Sequence, residues 1–183
     1  MPISDIETYF RNYDKTAYSL FTQRGSEPTA KQLEAFEAEI GYRLPDEFRE
    51  FALHPLGAFY IEVKEEIWPS AKEGEVGPFW TFLRALYVYS LSDEAPAWMQ
   101  IKKATKRFRD EWQKPYVPFL KIETNADPYC FTPEGKIVIH GHETPDEPEQ
   151  IDMTFSQVVM KELQELERRN DMKVSQLAKN RTA

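Results

Sequence analysis

The segment from Thr29 to Phe51 constrains the fold more than any other part of the chain, because it encodes two helices and the joint between them. Thr29 and Gln32 have the T-x-x-Q spacing of a capping box, in which each side chain satisfies the other's free backbone N–H at a helix start. Leu33, Phe36 and Ile40 then recur at helical spacing, with Glu34, Glu37 and Glu39 turned away. Gly41 stops the helix, since glycine takes a left-handed conformation without steric cost. After Tyr42-Arg43-Leu44, Pro45 opens a second helix as its first residue, where its missing N–H would go unpaired anyway. Asp46 and Glu47 complement the positive helix end, and Phe48, Phe51 and Ala52 form the apolar face before His54-Pro55. Helices this short need a shared core to bury such faces.

The rest of the chain supplies that core with mixed elements. Ser4 and Glu7 have capping-box spacing, and Ile6, Phe10, Tyr13 and Ala17 predict a helix leading to the loop Gly25-Ser26-Glu27-Pro28. Alternation over Phe59–Val63 predicts a half-buried strand, and Glu65 to Pro78 reads as loop. Phe82 to Leu91 is aromatic and β-branched enough for a strand. A helix is expected from Pro96 to Trp112, burying Trp98, Ile101, Ala104, Phe108 and Trp112. Tyr129 to Phe131 and Lys136 to His140 flank Thr132-Pro133-Glu134-Gly135, which has the proline and glycine positions of a type I turn, so a hairpin is expected. Gly141 to Gln150 reads as a polar loop. A last helix begins at Thr154, with Gln157 three residues on, and its apolar stripe is Phe155, Val158, Val159, Leu163 and Leu166. Beyond Glu167 a polar tail is expected to fray. Strands and helices in this irregular order predict an α+β fold, with helices packed on an antiparallel or mixed sheet in a single domain. Residues 28–166 are expected to form that domain, 1–27 a helical extension and 167–183 the tail.

Composition narrows the function. Aromatic residues make up 14% of 183, too many for a disordered chain. The one cysteine, Cys130, excludes an internal disulfide and a cysteine-based metal site. No apolar run reaches membrane-spanning length and no leader pattern is visible, so a cytoplasmic location is expected. A net charge of −8 disfavours nucleic acid as a partner, and no membrane partner is expected. Residues 61–95 carry three basic against seven acidic side chains, a net of −4. Residues 96–121 carry seven against two, a net of +5, and residues 122–152 one against eight, a net of −7.

Catalytic patterns are weak. His140-Gly141-His142-Glu143 could hold a metal or a base, because two residues on a strand end share a side, but no third ligand lies at a familiar spacing. The two histidines are read as surface loop residues. Cys130 could pair with either histidine as a nucleophile, yet between Tyr129 and Phe131 it is read as a small core residue. The cations Lys102, Lys103, Lys106, Arg107 and Arg109 are read as a solvated helix face. No phosphate-binding glycine loop is present, and no cofactor is expected.

The run Thr29-Ala30-x-x-Leu33-x-x-Phe36-Glu37-x-x-Ile40-Gly41-x-x-Leu44-Pro45-x-x-Phe48-Arg49-x-Phe51 resembles the opening signature of the SUKH superfamily. That family holds fungal Knr/Smi cell-wall regulators and many bacterial immunity proteins. Val117-Pro118-Phe119, Asp127-Pro128-Tyr129-Cys130, Gly135 to Val138 and Thr154-Phe155 resemble its later parts, so the resemblance spans about residues 28–166. His54-Pro55-Leu56-Gly57 departs from the Asn-Gly common there, and the turn should differ. The resemblance implies an α+β fold without catalytic residues. For bacterial members it implies neutralisation of a polymorphic toxin, often a nuclease, by direct binding. A regulatory or scaffolding module of the fungal type is the alternative, and a small hydrolase using His140, His142 and Glu143 is the remote one. A nuclease presents a positive cleft, so the expected partner is a basic toxin domain. It would dock on Glu62, Glu65, Glu66, Glu123, Asp127, Asp146, Glu147 and Glu149, with an aromatic anchor among Tyr60, Trp68 and Trp80.

Because Phe36 lies on the face that the first signature helix must bury, Phe36→Ala is expected to cost about 3–5 kcal/mol in chemical denaturation. A loss below roughly 1 kcal/mol would place that face outside the core.

Overall fold

Seven strands pair in chain order, each antiparallel to the one before it. They are β1 (Tyr18–Thr22), β2 (Phe59–Val63), β3 (Ala85–Val88), β4 (Val117–Ile122), β5 (Tyr129–Phe131), β6 (Ile137–Ile139) and β7 (Glu149–Ile151). The helices are α1 (Ser4–Asn12), α2 (Ala30–Ile40), α3 (Asp46–Ala52), α4 (Ile101–Trp112) and α5 (Phe155–Thr182), with a 3₁₀ turn at Phe79–Phe82. These come from a computed structural model, which describes residues 3–71, 74 and 76–182. The fold is α+β, and the sheet is antiparallel throughout.

Strand pairing sorts the side chains onto two faces. Ile61, Leu86 and Ile122 form one cross-strand row and Phe59, Val88 and Leu120 the next, all directed into the main core. Over this face lie α1, α3 and α5, whose Phe10, Phe48, Phe51 and Phe155 join the strand residues Phe59, Phe119 and Phe131. The opposite face carries Pro118, Cys130, Val138 and Gln150 in register. There α4 covers β4 to β6, and Phe108 closes a second small cluster with Cys130 and Val138.

The helical joint forms as its sequence dictates. Thr29 and Gln32 close the capping box, and Gly41 takes φ +89°. Glu37 explains the spacing that follows. One carboxylate oxygen accepts the Leu44 N–H at 2.7 Å, and the other pairs with Arg49 on α3. A single side chain therefore fixes both the linker and the second helix. Pro45 stands one residue earlier than expected, as the cap before Asp46.

The turn after α3 is held by two side chains, His54 and Gln23. His54 Nδ1 accepts the Leu56 N–H at 3.1 Å, so its proton sits on Nε2 and is donated to Glu7, 3.0 Å away. Buried Gln23, just past β1, donates to the carbonyls of Ala52 and His54 and accepts from the Ser90 hydroxyl.

Several expectations change. Ile3, not Ser4, caps α1, without a side-chain bond, and the helix ends at Asn12, leaving Ala17 outside it. The segment 1–27 supplies β1 to the sheet as well as α1. The loop expected over 141–150 contains the start of β7. The expected helix from Pro96 begins only at Ile101, so Trp98 lies outside it and is 48% exposed rather than buried. The helix expected to end near Glu167 continues to Thr182, with Arg169 and Asn170 buried and Arg169 Nε donating to the Leu83 carbonyl.

Gly57 sits where a Cβ would strike the Phe51 carbonyl, the Gln23 amide and, at 2.6 Å, the Ala52 carbonyl. Two of these are fixed backbone, so Gly57→Ala is expected to cost about 3 kcal/mol in chemical denaturation. An unchanged midpoint would mean that this turn moves freely.

Candidate partner-binding site

In an antiparallel meander, alternate strand ends meet. The end of β2, start of β3, end of β4, start of β5, end of β6 and start of β7 therefore share one end of the sheet. All eight expected acidic residues lie on these strand ends or on loops leaving them, spread over roughly 25 Å at the usual strand spacing. Residues distant in sequence thus share one rim.

Next to this rim the sheet is partly bare. The face covered by α4 over β4 to β6 carries Phe21, Tyr60, Tyr87 and Lys121 in one cross-strand row, in which Phe21 on β1 is exposed, Tyr60 on β2 is half-buried and Tyr87 on β3 is buried. Trp98 packs edge-on against Tyr60 at 5.5 Å and Tyr87 at 5.1 Å. Phe21 and Trp98 are each 48% exposed. Tyr60 donates to Glu62 at 3.0 Å and lies 3.3 Å from a Glu123 oxygen. Burial, and then the Glu123 and Glu62 carboxylates, push its phenol up, so it remains protonated. The result is an aromatic surface with carboxylates at its edge, a combination suited to a cationic, partly apolar partner.

Of the three expected anchors, Trp68 is buried and donates its indole N–H to Thr81, while half-buried Trp80 packs on Trp68. Tyr60 alone lies on the open face. Sequence reasoning missed Trp98, Phe21 and Tyr87 as its companions. The available signal for Trp98 was the turn-forming Ser92-Asp93 and Pro96, which delay the helix past it.

The acidic residues differ in how free they are. Glu62 and Glu65 share Arg84, at 3.4 and 2.6 Å. Hydrogen bonds from Ser70, backbone first, together with Arg84 hold the Glu65 carboxyl below its ordinary range. Asp146 pairs with Lys114 at 2.8 Å, and Asp127 with His142 at 2.7 Å. Among the described residues Glu66, Glu123, Glu147 and Glu149 make no ion pair, and together with the one charge left over where Glu62 and Glu65 share Arg84 they keep the rim negative. Of the cations on α4, Lys102 pairs with Asp93, Lys106 with Asp110, and Arg109 donates to the Ile40 carbonyl.

The histidines do not converge. His140 is buried, not a surface loop residue, and packs against Phe108 at 4.8 Å and Trp112 at 4.9 Å. Burial lowers its pKa. His142 is exposed, as is Glu143. Cys130 is fully buried and burial pushes its thiol up, so it lacks thiolate character. Among the described residues no three His, Cys, Asp or Glu side chains are placed to hold a metal. No helix among them is long and apolar enough to cross a membrane.

Comparison with known families gives one match, to the SMI1 / KNR4 family (SUKH-1), over residues 27–161. No curated protein matches the chain.

The hydrogen bond that the His142 ring donates to Asp127 raises the pKa of His142 above 6.5. The charged contact is therefore complete below pH 6.5 and is lost as pH rises through the folded value. In an NMR titration Asp127→Asn should return His142 toward 6.5, and an unmoved midpoint would show that Asp127 does not hold it.

Proposed function

We propose that this chain, which belongs to the SMI1 / KNR4 family (SUKH-1), is an immunity protein that neutralises a basic toxin domain by direct contact. The observation that supports this most is the aromatic patch on the outer face of the sheet, where exposed Trp98 and half-buried Tyr60 pack on buried Tyr87 beside Glu62 and Glu123. An acidic rim and an aromatic patch divide the work of binding. The rim charges Glu66, Glu123, Glu147 and Glu149 steer a positive partner and speed encounter, because long-range attraction acts mainly on association. The aromatic patch excludes water once the surfaces meet and therefore sets the lifetime of the complex.

A toxin that cleaves nucleic acid must attract phosphate, so its cleft is positive. An inhibitor carrying −8 overall can occupy or cover that cleft. Neutralisation on this account uses no chemistry by the inhibitor. It buries the cationic residues that the toxin needs for its substrate. The protein would act in the cytoplasm, where such a toxin does its damage.

The test is stopped-flow association with the toxin domain encoded beside this gene, at several ionic strengths. Asp146→Lys, Glu147→Lys and Glu149→Lys together should slow association about tenfold at low salt, and the difference should shrink as the Debye length falls. Trp98→Ala should instead raise the dissociation rate, by about thirtyfold for a residue worth roughly 2 kcal/mol. Salt-independent association would sink the electrostatic part. An unchanged dissociation rate would remove the aromatic patch from the interface.

A further inference from the structure

Between α4 and the sheet lies a cavity of about 500 Å³ that meets the acidic rim only at His142, the partner of Asp127. Its floor and walls are Phe108, Trp112, Pro118, Pro128 and Tyr89, and its charged lining is Arg107, Lys121, His142 and Glu111. The volume is in the range that holds a small ligand. Two features set it apart from an ordinary packing gap.

The first is charge without a partner. Arg107 and Lys121 line the same cavity, and among the described residues neither makes an ion pair or a side-chain hydrogen bond. Lys121 is half-buried on β4, and burial and then Arg107 disfavour its charged form, with only Glu111 acting against them. Almost every other cation over this face is engaged: Lys102, Lys106, Arg109 and Lys114 all have partners. The second is the wall. Trp112 and Phe108 give flat apolar surfaces beside the two cations, and His142, held by Asp127, adds a third ring at the edge.

We propose that this cavity binds a small planar molecule carrying a carboxylate or phosphate, with the anion between Arg107 and Lys121 and the ring against Phe108 and Trp112. Each half of such a ligand answers one unmet feature. The anion relieves two facing positive charges, through charge-assisted hydrogen bonds that are stronger than neutral ones. The ring removes apolar surface from water. Glu111 stands one helical turn from Arg107 on the same lining and would discriminate against a second negative group. The proposal does not rest on toxin binding: the cavity shares the face of the aromatic patch, with Lys121 beside Tyr87 in one cross-strand row, but its cations are ones that a basic partner would avoid.

The experiment titrates ¹⁵N-labelled protein separately with phenyl phosphate, benzoate, inorganic phosphate and benzyl alcohol, following amide shifts. Phenyl phosphate and benzoate should give saturable shifts confined to residues 104–112, 118–121 and 126–142. Inorganic phosphate and benzyl alcohol, each lacking one half of the ligand, should bind about tenfold more weakly or worse. Lys121→Gln and Arg107→Gln should each weaken phenyl phosphate about tenfold while leaving the thermal midpoint unchanged, since both side chains reach solvent. The proposal is overturned if phenyl phosphate binds no more tightly than inorganic phosphate, if neither substitution weakens it, or if no probe saturates. Binding that persists in the folded double variant overturns it as well.

Discussion

The structure depends on how Phe48 is seated. Its ring meets Phe131 at 5.1 Å, Phe155 at 5.3 Å and Phe119 at 6.5 Å, so one residue of a seven-residue helix touches two strands and the longest helix. Phe119 and Phe131 stack at 4.2 Å beneath it, and Phe51 carries the contact onward to Phe59 and Phe155. A helix as short as α3 has no stability of its own. Its position is imposed by Glu37, which holds both the linker and Arg49, and by Gln23, which takes up the carbonyls at its other end. Polar groups fix the helix at both ends so that the rings between them can pack.

Seating the helices on one face leaves the other face free for function. The core side takes α1, α3 and α5, and α4 alone crosses to the far side, where it covers only β4 to β6. The strands β1 and β2 keep a partly uncovered outer surface, where Phe21 and Tyr60 stand in a row with buried Tyr87 in place of solvated polar side chains. Large aromatic residues in that position cost solubility unless something covers them. Trp98 covers part, and the remainder is the surface that recognition would use.

Where the sequence carried a strong local signal, the fold was legible. Thr29, Gln32 and Gly41 mark the two ends of α2, the alternation of Phe59 to Val63 matches β2 residue for residue, and Pro133 and Gly135 mark the β5–β6 turn. The edge strands were not legible. β1 exposes Phe21 and β7 is Glu-Gln-Ile, so neither shows the apolar alternation of a half-buried strand; pairing with a neighbour, not propensity, makes them strands. Trp98 was misjudged for a related reason. Its spacing fits the stripe of α4, but periodicity cannot tell where a helix begins, and Gln100 starts this one by bridging to Ser90. The acidic residues were legible as a class, whereas their shared end of the sheet follows from strand order. Which of them are neutralised depends on Arg84, Lys114 and His142, contacts that no local pattern encodes.

The departure at His54-Pro55-Leu56-Gly57 shows how the fold reaches past its signature. A polar residue there could satisfy the end of α3 locally, but this turn does so from outside. Gln23 reaches in from β1, and His54 reaches out to Glu7 on α1. Both partners precede residue 27, where the family match begins. The same holds at the other end, where Arg169 and Asn170 are buried beyond residue 161 and Arg169 binds the carbonyl after the 3₁₀ turn. Removing either flank would therefore leave buried carbonyls or a bare core face, and a buried polar group without its partner costs more than the bond itself contributes. The segments outside the family match therefore hydrogen-bond with the region inside it, and the end of α3 depends on them for its partners.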